Sequence, residues 1–368
     1  MSSLQRASRP PAPASGLALS LAAALLSVGL AACSPSGGGG NPAAGDDPVP
    51  TGPTPLLAIA CADLVPLEDI RAALGDAVEP DAFPVEPGGT WPLSQVGLAQ
   101  AGALRCHWSD AADQQGEFAA NLEVTALPDA AEAWKSWHDE FTYLPAAPGL
   151  GDDAYGNCQT SSDYRYCQFG ILAGTTWLRV DLDNALDPDT AMSIVEAVTD
   201  AVGAASAAEG AWTPPASGLS VPADCDSLAT AEEVGAIVAT EGMAAREASL
   251  LMPLLYNAGL AEALDCSWSN AYSSAQAMPV GVTVLPGAGW AWEAEWARPR
   301  PDSRPVTARE DLGEAAFAGC AGNQDFCHVD VLADGAWISV TGNSAAGIDA
   351  LATLAQKALD ALGYAAAP

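Results

Sequence analysis

The stretch Leu104-Arg-Cys-His-Trp-Ser109 returns in the second half of the chain as Leu264-Asp-Cys-Ser-Trp-Ser269, and this repetition decides the fold. In each copy the apolar residues alternate with polar ones, the pattern of a strand with one buried side. Further matches extend outward in both directions. Upstream, Cys61-Ala-Asp-Leu64 matches Cys225-Asp-Ser-Leu228, and each opens an amphipathic helix, through Ile70 and Leu74 in one copy and Val234 and Val238 in the other. Downstream, Val124-Thr-Ala-Leu-Pro128 matches Val282-Thr-Val-Leu-Pro286, with a Trp-bearing helix after each. Gly151-Asp-Asp-Ala-Tyr155 matches Gly313-Glu-Ala-Ala-Phe317, and Trp177-Leu-Arg-Val180 matches Trp337-Ile-Ser-Val340 before a last long helix. Each copy therefore reads helix, strand, strand, helix, three strands, helix, with strand alternation suited to a half-buried antiparallel sheet. The expected class is α+β: two tandem homologous domains, each a twisted antiparallel sheet covered by helices.

The expected boundaries are a signal segment over 1–32, a disordered tether over 33–55, a first domain over 56–203, a linker over 204–223 and a second domain over 224–366. Asp187 and Pro188 form an N-cap and first-turn proline for the last helix of copy one, and Asn343-Ser344 is expected to cap its counterpart. The linker, with Trp212-Thr-Pro-Pro215 inside an Ala, Ser and Gly background, is expected to lack order.

Nine cysteines are odd in number for a secreted chain until Cys33 is set apart. The rest divide into Cys61, Cys106, Cys158 and Cys167, and Cys225, Cys266, Cys320 and Cys327, with similar spacing. A zinc site competes with disulfides, but no Cys-x-x-Cys pair exists and an exported chain meets an oxidising compartment. Four cysteines allow three pairings per copy, and spacing does not choose among them. Placement of the closer pair across a hairpin favours Cys61–Cys106 with Cys158–Cys167, and Cys225–Cys266 with Cys320–Cys327.

Export itself is read from the N-terminus. Arg6 and Arg9 precede an uncharged apolar run from Gly16 to Leu30, too short to span a bilayer and of signal-segment length. The run ends in Leu30-Ala31-Ala32-Cys33, which resembles the bacterial lipobox. That resemblance implies diacylglycerol on the Cys33 sulfur, cleavage before it and acylation of the new amino terminus, enough chains for a stable membrane hold. The Gly-, Ser- and Pro-rich residues that follow form a tether with a reach of roughly 25 Å.

The chain carries 13 basic and 46 acidic residues, a formal charge of −33, and loss of Arg6 and Arg9 takes it to −35. Such a charge argues against nucleic acid as a partner, since phosphates need a basic surface. It also repels an anionic membrane, leaving the lipid on Cys33 as the hold. A solvated, self-repelling surface explains the charge most simply, with basic partners as the alternative. Eleven tryptophans and 49% hydrophobic residues promise real cores.

The Cys-x-x-Leu helix start, the Cys-x-Trp strand and the Gly-Asp segment resemble a large family of actinobacterial cell-envelope lipoproteins of unknown function, here present twice. The same layout is more loosely similar to extracellular sensor domains of bacterial receptor kinases. The resemblance implies fold and location and brings no catalytic residues. Copy two departs from it with Glu314 in place of Asp152.

No catalytic set emerges. The histidines are His107, His138 and His328, and His107 aligns with Ser267 while His328 aligns with Gln168, so no histidine belongs to the shared scaffold. Lys135 and Lys357 are the only lysines, and neither follows Ser by three positions. Asp181, Asp183, Asp187 and Asp189 lack the glycine and glutamate of an EF-hand loop and read as strand-end carboxylates and a helix cap. No cofactor or metal is expected. Trp108, Trp177, Trp268 and Trp337 read as core aromatics beside the bridges, with a ligand-stacking platform as the alternative.

One segment is specific to copy two. Trp290, Trp292 and Trp296 lead into a Pro-rich run holding Arg298, Arg300, Arg304 and Arg309, and indoles beside guanidinium groups are a combination enriched in binding hot spots. These arginines are the expected contact surface; the alternative is that they neutralise acidic neighbours. The functional expectation is a membrane-anchored, non-enzymatic binding or sensing module for an envelope protein, peptide or wall component. A carrier of an apolar small molecule or lipid and an unrecognised envelope enzyme are the alternatives.

Overall fold

The computed structural model describes residues 52–365, except 76–80, 83–91, 110–119, 141–143, 161–164, 185–186, 209–211, 248–262, 271–279, 297–305 and 321–325. The signal segment, Cys33 and most of the tether lie outside the described residues.

The protein is α+β, with two antiparallel sheets. The first domain holds a short 3-10 turn (Cys61–Asp63) and helices α1 (Leu67–Leu74), α2 (Pro92–Gln100), α3 (Ala131–Glu140) and α4 (Pro188–Ala204). Its strands are β1 (Asp81–Ala82), β2 (Leu104–Ser109), β3 (Asn121–Leu127), β4 (Asp153–Thr160), β5 (Arg165–Ala173) and β6 (Thr176–Asp183), in the order β1-β2-β3-β6-β5-β4. The second domain holds α5 (Cys225–Leu228), α6 (Ala231–Ile237), α7 (Gly289–Trp296) and α8 (Ile348–Ala361). Its strands are β7 (Met243–Glu247), β8 (Leu264–Asn270), β9 (Val280–Leu285), β10 (Val306–Ala308), β11 (Ala315–Cys320), β12 (Phe326–Ala333) and β13 (Ala336–Asn343), in the order β10-β11-β12-β13-β9-β8-β7. The sequence pattern misses α2 and the edge strands β1, β7 and β10, because β1 and β10 are too short for alternation to register and β7 reads Met-Ala-Ala-Arg-Glu.

Alternation assigns each strand residue to one of two sheet faces. On one face Cys106, Trp108, Leu122, Val124, Val180 and Leu182 meet α1 and α4 through Ile70, Ile194, Val195 and Val198, all essentially buried. The matching cluster in the second domain brings Cys266, Trp268, Val282, Val329 and Val340 against Leu228, Val234, Leu351 and Leu354. Four bridges join Cys61–Cys106, Cys158–Cys167, Cys225–Cys266 and Cys320–Cys327. The first and third pin the opening helical turn to the second strand, while the others cross the β4–β5 and β11–β12 pairings, where the cysteines stand directly opposite each other. The opposite sheet face carries a smaller apolar cluster at one end: Leu127, Trp134 and Trp177 in the first domain, Leu285, Trp292 and Trp337 in the second. Thus Trp108 and Trp268 sit with the bridges, whereas Trp177 and Trp337 lie on the other face, a division that spacing alone leaves hidden.

The recurring Gly-acid step has a local cause. Gly151 and Gly313 have φ of 55° and 57°, and a Cβ at either would stand 2.4 Å from a backbone carbonyl, that of Leu172 or Leu332. The next residue's carboxylate then accepts from the hairpin turn: Asp152 from the Gly174 N–H and Glu314 from the Asp334 N–H, both at 2.7 Å. Glu314 therefore does the work of Asp152.

Asp187 caps α4 as expected, accepting the Thr190 N–H at 2.9 Å. The expected cap at Asn343-Ser344 is corrected: Asn343 Oδ1 accepts the Ala345 N–H in a turn, and α8 starts at Ile348 after Gly347, whose φ is 79°. The expected amphipathic helix is broken after its first turn in both copies: α1 begins anew at Leu67 after Pro66, and α6 begins anew with a capping box between Thr230 and Glu233.

The linker is not the orderless spacer its composition suggests. Leu57 pairs with Ala207 in an isolated bridge, where the Ala58 N–H donates to the Ser206 carbonyl and the Ala208 N–H to the Leu56 carbonyl. Further along, Leu219 and Val221 pack on the second core, the Ser220 N–H donates to Leu362, and Trp212 meets Trp290 edge to face at 5.8 Å. Apolar residues spaced through the segment supply the burial that its small residues do not. The domains also share α2, whose Leu98 joins the small cluster of the first domain while Leu93 and Val96 are buried in that of the second. Gln100 Nε2 donates to the Pro286 carbonyl at 3.3 Å across the same seam.

Candidate functional site

In each domain the sheet face turned away from the long helix carries polar side chains beyond its small apolar cluster. In the first domain, registers place Arg105, Thr125, Arg179 and Gly170 in one row, and His107, Glu123, Asp181 and Gln168 in the next. Arg105 pairs with Glu123 at 2.5 Å and Arg179 with Asp181 at 2.6 Å. The Tyr166 hydroxyl donates to Asp181 at 3.0 Å. Arg105 and Asp181 are largely withdrawn from water, with side-chain exposures of 12% and 13%, while their partners Glu123 and Arg179 remain 36% and 31% exposed. Burial pushes the Asp181 carboxyl above its ordinary value in spite of Arg179. Burial, reinforced by the Asp181 charge, also drives the Tyr166 hydroxyl far up, so it stays a donor at any physiological pH.

The second domain keeps the rows and changes the chemistry. Asp265, Thr283, Ser339 and Asp330 now form the first row, and Ser267, Gly281, Thr341 and His328 the second. Thr283 donates to Asp265 at 2.5 Å, and Trp337 Nε1 donates to Asp330 Oδ1 at 3.1 Å. His328 Nε2 stands 3.7 Å from Asp330 Oδ2, which is too long for a hydrogen bond.

No protein-family model matches the chain, and no curated protein resembles it.

Of the expected contact surface, Arg298, Arg300 and Arg304 lie outside the described residues, and Trp296 ends α7. Arg309 is bound within its own domain, to Asp311 at 2.8 Å and Asp349 at 3.2 Å. The accompanying tryptophans face inward. Trp292 is 4% exposed against Trp337 and Phe317, and Trp290 lies under Trp212, so both serve the seam between the domains.

The four repeated tryptophans, Trp108, Trp177, Trp268 and Trp337, are at most 1% exposed, which leaves no stacking platform. Among the described residues no group of three His, Cys, Asp or Glu is placed to hold a metal ion. The acidic run disperses: Asp181 joins the polar network, Asp183 ends β6 and Asp187 caps α4.

Sequence reasoning passed over Arg105, Glu123, Arg179 and Tyr166, and Asp330 with its cross-strand neighbour Ser339. The available signal was Arg179-Val-Asp181, a cation and an anion two apart on one strand face, in a chain with few arginines.

Proposed function

We propose that the protein is a lipoprotein held to the outer face of the cell membrane by lipid on Cys33, and that its two domains act as a non-catalytic binding or sensing module for an envelope protein, peptide or wall component. Four disulfides support folding in an oxidising compartment, and among the described residues no helix is long and apolar enough to cross a membrane. The resemblance to actinobacterial envelope lipoproteins belongs to this reading.

One observation carries it. The helix-covered faces of the two domains both stay apolar, even where Phe169 and Leu182 answer to Val329 and Gly342, while the equivalent polar faces differ in charge, Arg105 and Arg179 standing where Asp265 and Ser339 stand. A surface kept only for solubility has no reason to hold its charges half buried and paired.

The carrier alternative has less behind it. Recesses of about 350 Å³ between α1 and α4 and about 590 Å³ between α6 and β7 are lined by Asp69 and Asp189, and by Glu232 and Glu241, unlike an apolar ligand's pocket.

Two experiments test the reading. Cys33→Ala should shift the protein from the membrane fraction to the soluble one. Pull-down from envelope extract should retain a partner with the wild type and lose it with Glu123→Gln/Asp181→Asn. Retention of no partner, together with turnover of a substrate, would overturn the proposal.

A further inference from the structure

The row Asp265, Thr283, Ser339, Asp330 crosses β8, β9, β13 and β12 on the polar face of the second domain. Its counterpart in the first domain is Arg105, Thr125, Arg179, Gly170. We propose that the second-domain row is a binding site for an organic cation, a guanidinium or alkylammonium group, which takes there the place that the Arg105 and Arg179 guanidinium groups hold in the first domain. The inference rests on the binding-module reading and names the ligand chemistry for one of its two faces.

The first domain shows what the scaffold does with cations on this face. Each of its guanidinium groups lies flat enough on the sheet to reach a carboxylate one row away, at 2.5 Å and 2.6 Å. In the second domain Asp265 and Ser339 stand in the places of those two arginines and the row itself holds the carboxylates, with Arg246 of β7 opposite Ser267 in the next row. The Asp330 side chain is 4% exposed, and among the described residues the basic nitrogen within 4 Å of its Oδ2 is His328 Nε2, at 3.7 Å. Beside it the Ser339 hydroxyl belongs to a residue 8% exposed and has no hydrogen-bond partner among the described residues. A hydroxyl and a carboxylate oxygen side by side on two largely buried residues suit an incoming N–H group, and charge-assisted hydrogen bonds strengthen as water leaves. Trp337 Nε1 holds the other carboxylate oxygen, so Asp330 is already oriented. At the far end of the row, Thr283 orients Asp265 in the same way. A chain of net charge −33 draws cations toward this face, and the face selects those with N–H donors.

The test is a titration of the mature, fully disulfide-bonded chain with agmatine, which carries both cationic groups, followed by the indole N–H resonances. The Trp337 indole signal, bonded to Asp330, should shift and saturate. The Trp134 indole signal, bonded to Asp153 in the first domain at 3.0 Å, should stay in place. Ser339→Ala and Asp265→Asn should each weaken binding about five-fold, the worth of one hydrogen bond. Asp330→Asn should abolish it, and where that variant fails to fold the other two decide. Absence of a saturable Trp337 shift up to about 10 mM overturns the proposal, since affinity weaker than that carries no specificity. Equal shifts in both domains, or unchanged affinity in both Ser339→Ala and Asp265→Asn, overturn it as well, because they report diffuse attraction to an acidic surface. A failed titration with a partner still captured from envelope extract removes this inference and leaves the binding module standing.

Discussion

In the first domain one cross-strand pair reads Gly170 opposite Arg179; in the second it reads Asp330 opposite Ser339. A few ångströms away, on the other side of the same strands, Phe169 and Val180 answer to Val329 and Val340, apolar in both. A closely filled interior demands apolar side chains, and a change of size such as Phe169 to Val329 has to be met by repacking around it. The polar face is bound by a different condition, that each buried charge keep a partner, and several charge sets meet it. Duplication therefore left one face of each sheet apolar in both copies and the other free to change its charge, and difference in binding is to be sought on the second.

If the two domains are one scaffold used twice, equivalent bridges should stabilise them equally. Replacing Cys61 and Cys106 by Ala should cost about 4 kcal/mol by loop closure, and Cys225 with Cys266 the same, while the hairpin pairs should each cost about 2.5 kcal/mol. Chemical denaturation of the four double variants checks this, and a large inequality between the long bridges breaks the equivalence.

The seam tests the opposite idea, that the domains are not independent. Val96, fully buried among second-domain residues, is the point to strike. Val96→Asp should cost about 3 kcal/mol if the seam stays shut, or part the domains instead. Small-angle scattering should then show a larger radius of gyration with both sheets intact by circular dichroism.

Making the first polar face like the second should be the next most costly change. Arg179→Ser leaves Asp181 without its guanidinium in a largely buried setting. Loss of one partner from a fully buried pair costs 3–5 kcal/mol, and partial exposure of Arg179 reduces the expectation to about 2 kcal/mol. Urea unfolding gives the value, and Arg179→Ser/Asp181→Ala should recover part of it.

The smallest effect is in the acid limb of stability, where the domains have opposite signs. In the second, a hydrogen bond from Lys357, then the backbone and hydroxyl of Thr230, draw the exposed Glu233 carboxyl down to about 2. That stabilisation is present above the ordinary carboxylate range and is lost as pH falls toward 2. In the first, Asp181 titrates above its ordinary value, so the folded state holds that proton more firmly and acidification favours it. Urea midpoints between pH 5 and 2 should therefore fall less steeply in Lys357→Met and more steeply in Asp181→Asn than in the wild type.

Strand alternation, repeat spacing and the placement of the closer cysteines over a hairpin made the two sheets and their bridges legible, since these patterns follow from the pleat of a single chain. What escaped reading depends on where a second surface lies. Trp290 and Trp292 look like exposed anchors until α2 and the linker cover them, and nothing in their own neighbourhood announces that cover. Arg309 looks free until Asp349, brought up by α8, stands beside it. Arg105 and Arg179 look like solvent-facing strand positions, because alternation tells which face a residue takes and not how far that face is buried.

The central claim is that one disulfide-stapled body occurs twice, each copy closed on itself. Peptide mapping under non-reducing conditions tests it most directly. The account predicts four crosslinks, Cys61 to Cys106, Cys158 to Cys167, Cys225 to Cys266 and Cys320 to Cys327; a bridge joining the two halves, or free thiols among these eight, would contradict it.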